Sequence, residues 1–153
     1  MARGRKPKPT KQKLLAGNPG KREINHNEPN FAPLKNIAVP EWMADFENAK
    51  GMWEWLAPRL CSEEIVTEVD LVNLESYCMA YERWRMAEIE VCKLGIVVEG
   101  SQGGYVKNPA LTAVNEAKRQ IQSFGALLGL DPSSRTRLIG KSKTKKDNSF
   151  DGF

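Results

Sequence analysis

The chain has 153 residues, 41% apolar and 27% charged, enough for one domain with a modest core. Its formal charge of +4 is unevenly spread: residues 1–22 hold eight basic side chains and no acid, residues 133–146 hold six and no acid, and the stretch between is net −8. An acidic body with two basic arms is polarised rather than generally basic. Counterion release makes nucleic acid the leading partner, and neither arm has the amphipathic spacing of a membrane-surface helix.

Residues 1–39 read as an extended basic N-terminal arm, rich in proline and poor in helical pattern. Within it, Arg3-Gly4-Arg5-Lys6-Pro7 is similar to hooks that insert Arg-Gly-Arg into a narrow minor groove; generic phosphate contact is the alternative. Lys11 to Ala16 allow one turn of helix before Gly17-Asn18-Pro19-Gly20 breaks it. His26 is the only histidine and has no ligand or nucleophile at useful spacing, so a loop role is expected. The candidate DNA contacts are Arg3, Arg5, Lys6, Lys8, Lys11, Lys13, Lys21 and Arg22 in this arm. Arg135, Arg137, Lys141 and Lys143 join them from the basic C-terminal segment, residues 133–153.

Residues 40–132 read as a helical core. The first helix is expected from Pro40 to about Leu60, with Trp42, Phe46, Ala49, Trp53, Leu56 and Leu60 on its buried face. Pro58 is a point where it can bend. Trp55, two residues from Trp53, points to the opposite side; it serves a neighbouring subunit, packs on the hairpin below, or is covered by the arm. A short link over residues 61–66 makes the next helix an antiparallel neighbour.

That helix is the long one, Thr67 to Gly95, about 40 Å from end to end. Thr67 and Asp70 form a start signal related to the capping box, and Gly95 is the stop. Leu71, Leu74, Cys78, Tyr81, Trp84, Val91 and Cys92 share one broad face. Arg85 and Glu88 fall on that same face. Either they are solvated where the helix leaves the core, or they face a neighbouring subunit and fix its register as a buried pair. On the second reading the assembly interface comprises Trp55, Trp84, Arg85, Glu88 and Val91.

Ile96-Val97-Val98 and Tyr105-Val106 flank a Gly-rich loop and predict a β-hairpin at about residues 96–107. The loop lacks the Gly-Lys-Ser/Thr ending of a phosphate cradle. Asn108-Pro109 starts a further helix with the stripe Leu111, Val114, Ala117, Ile121, Phe124 and Leu128, ended by Gly129. Asp131-Pro132 starts a short one. The fold class is therefore mainly α: an antiparallel helical core with one long central helix, a short β-hairpin and basic, flexible terminal arms.

No catalytic constellation is expected. The one histidine sits in the arm, and the acids, such as Glu63/Glu64, Glu68/Asp70 and Glu88/Glu90, are spread along helix surfaces rather than clustered. Cys61, Cys78 and Cys92 lack metal spacing and read as small hydrophobes in a reducing cytoplasm. The N-terminus has no apolar core of a secretory signal, and no run is long enough to span a bilayer. No cofactor and no metal are implied.

The order of features resembles phage terminase small subunits of the type with a Gly-Arg-Lys-Pro arm. The residues that carry it are Gly4-Arg5-Lys6-Pro7-Lys8-Pro9-Thr10, Lys13-Leu14-Leu15-Ala16-Gly17-Asn18-Pro19-Gly20-Lys21-Arg22 and Glu28-Pro29. Pro40, Trp53, Leu56, Pro58, Leu60, Asp70, Gly95 and Asn108-Pro109 follow, then the run from Gly129 to Leu138. The resemblance implies a non-catalytic homo-oligomer, ring-shaped, that binds double-stranded viral DNA and hands it to the large terminase subunit, which carries the ATPase and nuclease. It places the protein in the cytoplasm of the bacterial host and not in the mature virion. The alternative is a DNA-binding regulator without a motor partner. That reading needs a recognition helix, and the helix after Asn108 offers only Lys118 and Arg119 as basic residues.

Overall fold

The computed structural model describes residues 10–21, 23–24, 29 and 31–135; Arg3, Arg5, Lys6, Lys8, Arg22, His26, Arg137, Lys141 and Lys143 lie outside them. The fold is mainly α. In chain order it has helix α1 (Thr10–Leu15), α2 (Glu47–Ser62), α3 (Leu71–Leu94), strands β1 (Val97–Glu99) and β2 (Tyr105–Lys107), then α4 (Ala110–Leu127) and α5 (Pro132–Arg135).

α1 stops where Gly17 and Asn18 take positive φ, 71° and 43°. Further on, the extended segment before α2 lies against the core. Leu34 donates its N–H to the Val66 carbonyl at 2.9 Å, and Leu34, Ile37 and Val39 pack on the buried cluster. The Trp53 indole donates to the Ile37 carbonyl at 3.4 Å.

The first core helix differs from its expected span. Residues Glu41–Met43 form a separate 3-10 turn, and α2 begins only at Glu47. This interruption changes the phase of the pattern: Met43 is fully buried, while Trp42 is 50% and Phe46 36% exposed. Trp42 and Phe46 instead meet edge to face at 6.4 Å between ring centroids. From Ala49 onward the predicted stripe holds, with Ala49, Trp53, Leu56 and Leu60 buried, and α2 runs on past Pro58 to Ser62.

Thr67 starts the next element through a capping box. Its N–H and hydroxyl both donate to Asp70 Oδ2, at 3.1 and 2.6 Å. A 3-10 turn, Glu68–Asp70, leads into α3. Leu74, Cys78, Ala80 and Glu82 are buried; from Arg83 to Leu94 no residue of α3 is. The main buried cluster therefore ends near Glu82, about half-way along the helix, and α4 also buries Val114 and Ala117. Beyond Glu82, α3 runs on beside α4.

Gly95, at φ 83°, stops α3. The hairpin pairs Val97 with Lys107, Val98 with Val106 and Glu99 with Tyr105, antiparallel. Asn108 then joins three elements: its N–H bonds the Ile96 carbonyl, its Nδ2 donates to the Gly95 carbonyl at 2.8 Å, and its Oδ1 accepts from Ala110 N–H at 2.9 Å. It is both the cap of α4 and the tie that returns α4 alongside α3. Close to the other end, Gly125 is buried against Tyr77, and a Cβ placed on it would lie 3.4 Å from the ring, at the edge of ordinary contact.

Candidate assembly and nucleic-acid surfaces

The outer half of α3 is where the sequence places an assembly face, and its chemistry centres on Trp84. The ring meets Tyr81 edge to face at 5.6 Å. Its Nε1 donates to Glu88 Oε2 at 2.9 Å, and the same oxygen pairs with Lys118 Nζ of α4 at 3.5 Å. Lys118 Nζ lies 5.3 Å and Arg85 Cζ 5.7 Å from the Trp84 ring centroid, so two cations face one aromatic ring. Among the described residues the charged partner of Glu88 is thus Lys118, not Arg85. The reason is rotational. Glu88 follows Trp84 by four residues and stays on the side turned to α4, whereas Arg85 is about 100° further round and exposed. Trp84, Glu88 and Val91 are half-buried.

A second surface lies outside the apolar stripe. Arg83, Met86, Ala87, Glu90 and Lys93 follow one another at helical spacing on α3. With Ala113, Glu116, Ala117 and Gln120 of α4 they line an open groove of about 750 Å³. Met86 is 58% and Ile89 49% exposed on its wall. The spacing of Met86, Ile89 and Lys93 is a signal for it in the sequence, but the stripe through Trp84 is more apolar and masks it.

Trp55 is the third feature. It lies on the side of α2 opposite Trp53 and is 54% exposed. Arg59, one turn on, stacks its guanidinium 4.4 Å from the ring centroid and donates through Nη1 to the Trp55 carbonyl. The pair forms an exposed aromatic–cation knob on α2. Its partners are separate from those of the Trp84 cluster.

Of the basic residues expected at DNA, few are described. Lys13 is half-buried in the last turn of α1, with Lys11 earlier in the same helix, and Lys21 is exposed at φ 44°. Arg135 is exposed at the end of α5. Asp131 starts that helix by accepting from the Ser133 hydroxyl at 2.6 Å and the Ser134 N–H at 2.9 Å. These hydrogen bonds, the Ser133 hydroxyl foremost, hold its carboxyl well below the usual range.

The buried thiols are poor nucleophiles. Burial, with a smaller contribution from Glu75, pushes the Cys78 thiol up to about 12, and burial also raises Cys61. Among the described residues no group of three His, Cys, Asp or Glu side chains stands at metal-binding distance. No described helix is long and apolar enough to cross a membrane. The family model described as phage terminase, small subunit, matches residues 49–145, from the third residue of α2 through α5. No curated protein and no solved structure matches the chain.

Proposed function

The chain belongs to the phage terminase small-subunit family, and on that premise we propose that it is a non-catalytic, self-associating adaptor that binds double-stranded viral DNA and presents it to the large terminase subunit for genome packaging. Its place of action is then the host cytoplasm, before the virion is complete.

The observation that carries the DNA reading is the charge distribution: fourteen basic residues sit in two acid-free segments on either side of a body of net −8. A basic arm neutralises phosphates and releases their counterions without a rigid reading surface. The acidic body keeps the same chain from spreading along DNA non-specifically. Self-association is supported by α3, whose outer half leaves Met86, Ile89 and Leu94 in solvent, and by Trp55 on α2.

The test is DNA binding across a salt series with the full chain. Replacing Arg3, Arg5 and Lys6 by alanine is expected to weaken binding on every sequence. It should also flatten the slope of log K against log salt by up to about 0.9 for each phosphate no longer neutralised. An unchanged affinity moves the binding segment to Arg135, Arg137, Lys141 and Lys143. Absence of salt-dependent binding by the intact chain overturns the DNA reading altogether.

A further inference from the structure

The groove between α3 and α4 is concave, apolar at its floor and charged at its walls. Ala87, Ala113 and Ala117 make the floor shallow-sided, and Met86 and Ile89 rise beside it. Lys93 is paired with Glu90 at 2.9 Å. Glu116 and Arg83, by contrast, make no ion pair among the described residues. The knob on α2 presents a large aromatic ring and a matching pair of charges: an exposed Trp55 braced by Arg59, with Glu54 exposed beside it and no ion pair to either charge among the described residues.

Resting on the self-association proposed above, we propose that the α3–α4 groove receives the Trp55–Arg59 knob of a neighbouring copy, with the guanidinium of Arg59 set against Glu116. Three points favour this occupant. A concave surface cannot fill itself: two grooves pressed together leave a void, whereas an exposed indole of one copy can occupy the groove of the next. Trp and Arg are the residue types that most often dominate interface energetics when they enter such a pocket. The charges match, Arg59 with Glu116 and Glu54 with Arg83, so entry neutralises two groove charges that have no ion pair within the described chain. The geometry has a further consequence. Knob and groove are different patches of one molecule, so the contact is heterologous, and repeating it head to tail closes a ring or extends a filament. The Trp84 cluster, tied to Lys118 within the chain, braces α3 against α4 rather than forming the contact.

Mixing of single-surface variants tests this with the full chain. Trp55→Glu removes the knob and Met86→Glu blocks the groove; both positions are more than half exposed, so folding is retained, and far-UV circular dichroism checks it. Native mass spectrometry is expected to find an oligomer for the unaltered protein and a monomer for each variant alone. The equimolar mixture should give a 1:1 dimer and nothing larger, because each pair keeps one intact contact. Arg59→Glu should lose assembly and regain it when combined with Glu116→Arg. A Trp55→Glu protein that assembles as before overturns the knob-and-groove contact and leaves self-association standing. A mixture that stays monomeric overturns that contact as well. An unaltered protein that is monomeric at tens of micromolar overturns the self-association reading itself.

Discussion

Glu82 is the residue whose role depends most on tertiary contact. Its carboxylate is buried, 6% exposed, and reaches across from α3 to the start of α2. Oε2 accepts from Ala49 N–H at 2.8 Å and Oε1 from Asn48 Nδ2 at 3.1 Å. The first turn of α2 has no capping side chain of its own, since Phe46 precedes it, so a carboxylate from another helix satisfies one of its amides, that of Ala49. Glu82→Ala leaves the Ala49 N–H without a partner in a buried place and is expected to cost about 2 kcal/mol by urea unfolding. Glu82→Gln should cost less, because the amide oxygen still accepts. Equal midpoints for the unaltered and alanine proteins would show that the cap contributes nothing. Cysteine reactivity gives an independent reading of burial. Cys92 is exposed, whereas Cys78 is buried with its thiol raised to about 12. In native protein at pH 8, Ellman's reagent should therefore consume Cys92 quickly and Cys78 only as fast as the fold opens. The folded-state value for Cys78 lies above its ordinary 9.0, so its contribution to stability is complete below that pH. Stability is then lost as pH rises toward about 12, and Cys78→Ser should remove that part of the alkaline decline.

At the scale of elements, the α3–α4 pair is fixed at both ends. Asn108 bonds the Gly95 carbonyl, the Ile96 carbonyl and the Ala110 amide, and so holds the hairpin and the start of α4 in one place. The roles of its side chain are separable by substitution. Asn108→Asp keeps the acceptor for Ala110 and loses the donor to Gly95, whereas Asn108→Ala loses both. The alanine variant is expected to cost about 2 kcal/mol and the aspartate variant at least as much, because its second carboxylate oxygen faces the Gly95 carbonyl in a buried place, as read from thermal unfolding. A two-stranded hairpin has little stability alone. Hydrogen exchange across Val97–Glu99 and Tyr105–Lys107 should therefore speed up more in Asn108→Ala than exchange in α2. At the other end, Gly129 takes φ 69° and the Leu130 N–H closes back on the Gly125 carbonyl at 2.8 Å. Gly129→Ala places a side chain in that left-handed conformation and should lower stability by about 1 kcal/mol in the same assay.

For the whole molecule, burial and charge divide the work. The main core cluster gathers on one side of Glu82, in α2, the first half of α3, the segment before α2 and the end of α4, while Val114 and Ala117 are buried nearer the start of α4. Deleting the Trp53 ring is expected to cost about 3–5 kcal/mol, enough to unfold a domain of ordinary stability. The outer half of α3 and the hairpin extend away from that core with Ile96, Val97 and Tyr105 in solvent. On the proposed function, this apolar surface is what other copies would cover and the basic segments are what DNA would meet.

The helices, the hairpin and their order are all written locally. Capping pairs, an Asn-Pro start and glycine stops act within a few residues of where they stand, so local chemistry suffices to read them. Charge polarity is equally plain from the chain, because it needs no fold. Three things waited for packing. The break before Glu47 comes from a 3-10 turn that buries Met43 instead of Trp42, a choice set by what the core accepts rather than by spacing. The charged partner of Glu88 is Lys118, because contact across two helices depends on their rotation about their own axes. The groove beside Met86 exists because the first turn of α2 meets α3 at Glu82 and leaves the outer turns of α3 to α4; no periodicity in one helix reports where its neighbour ends.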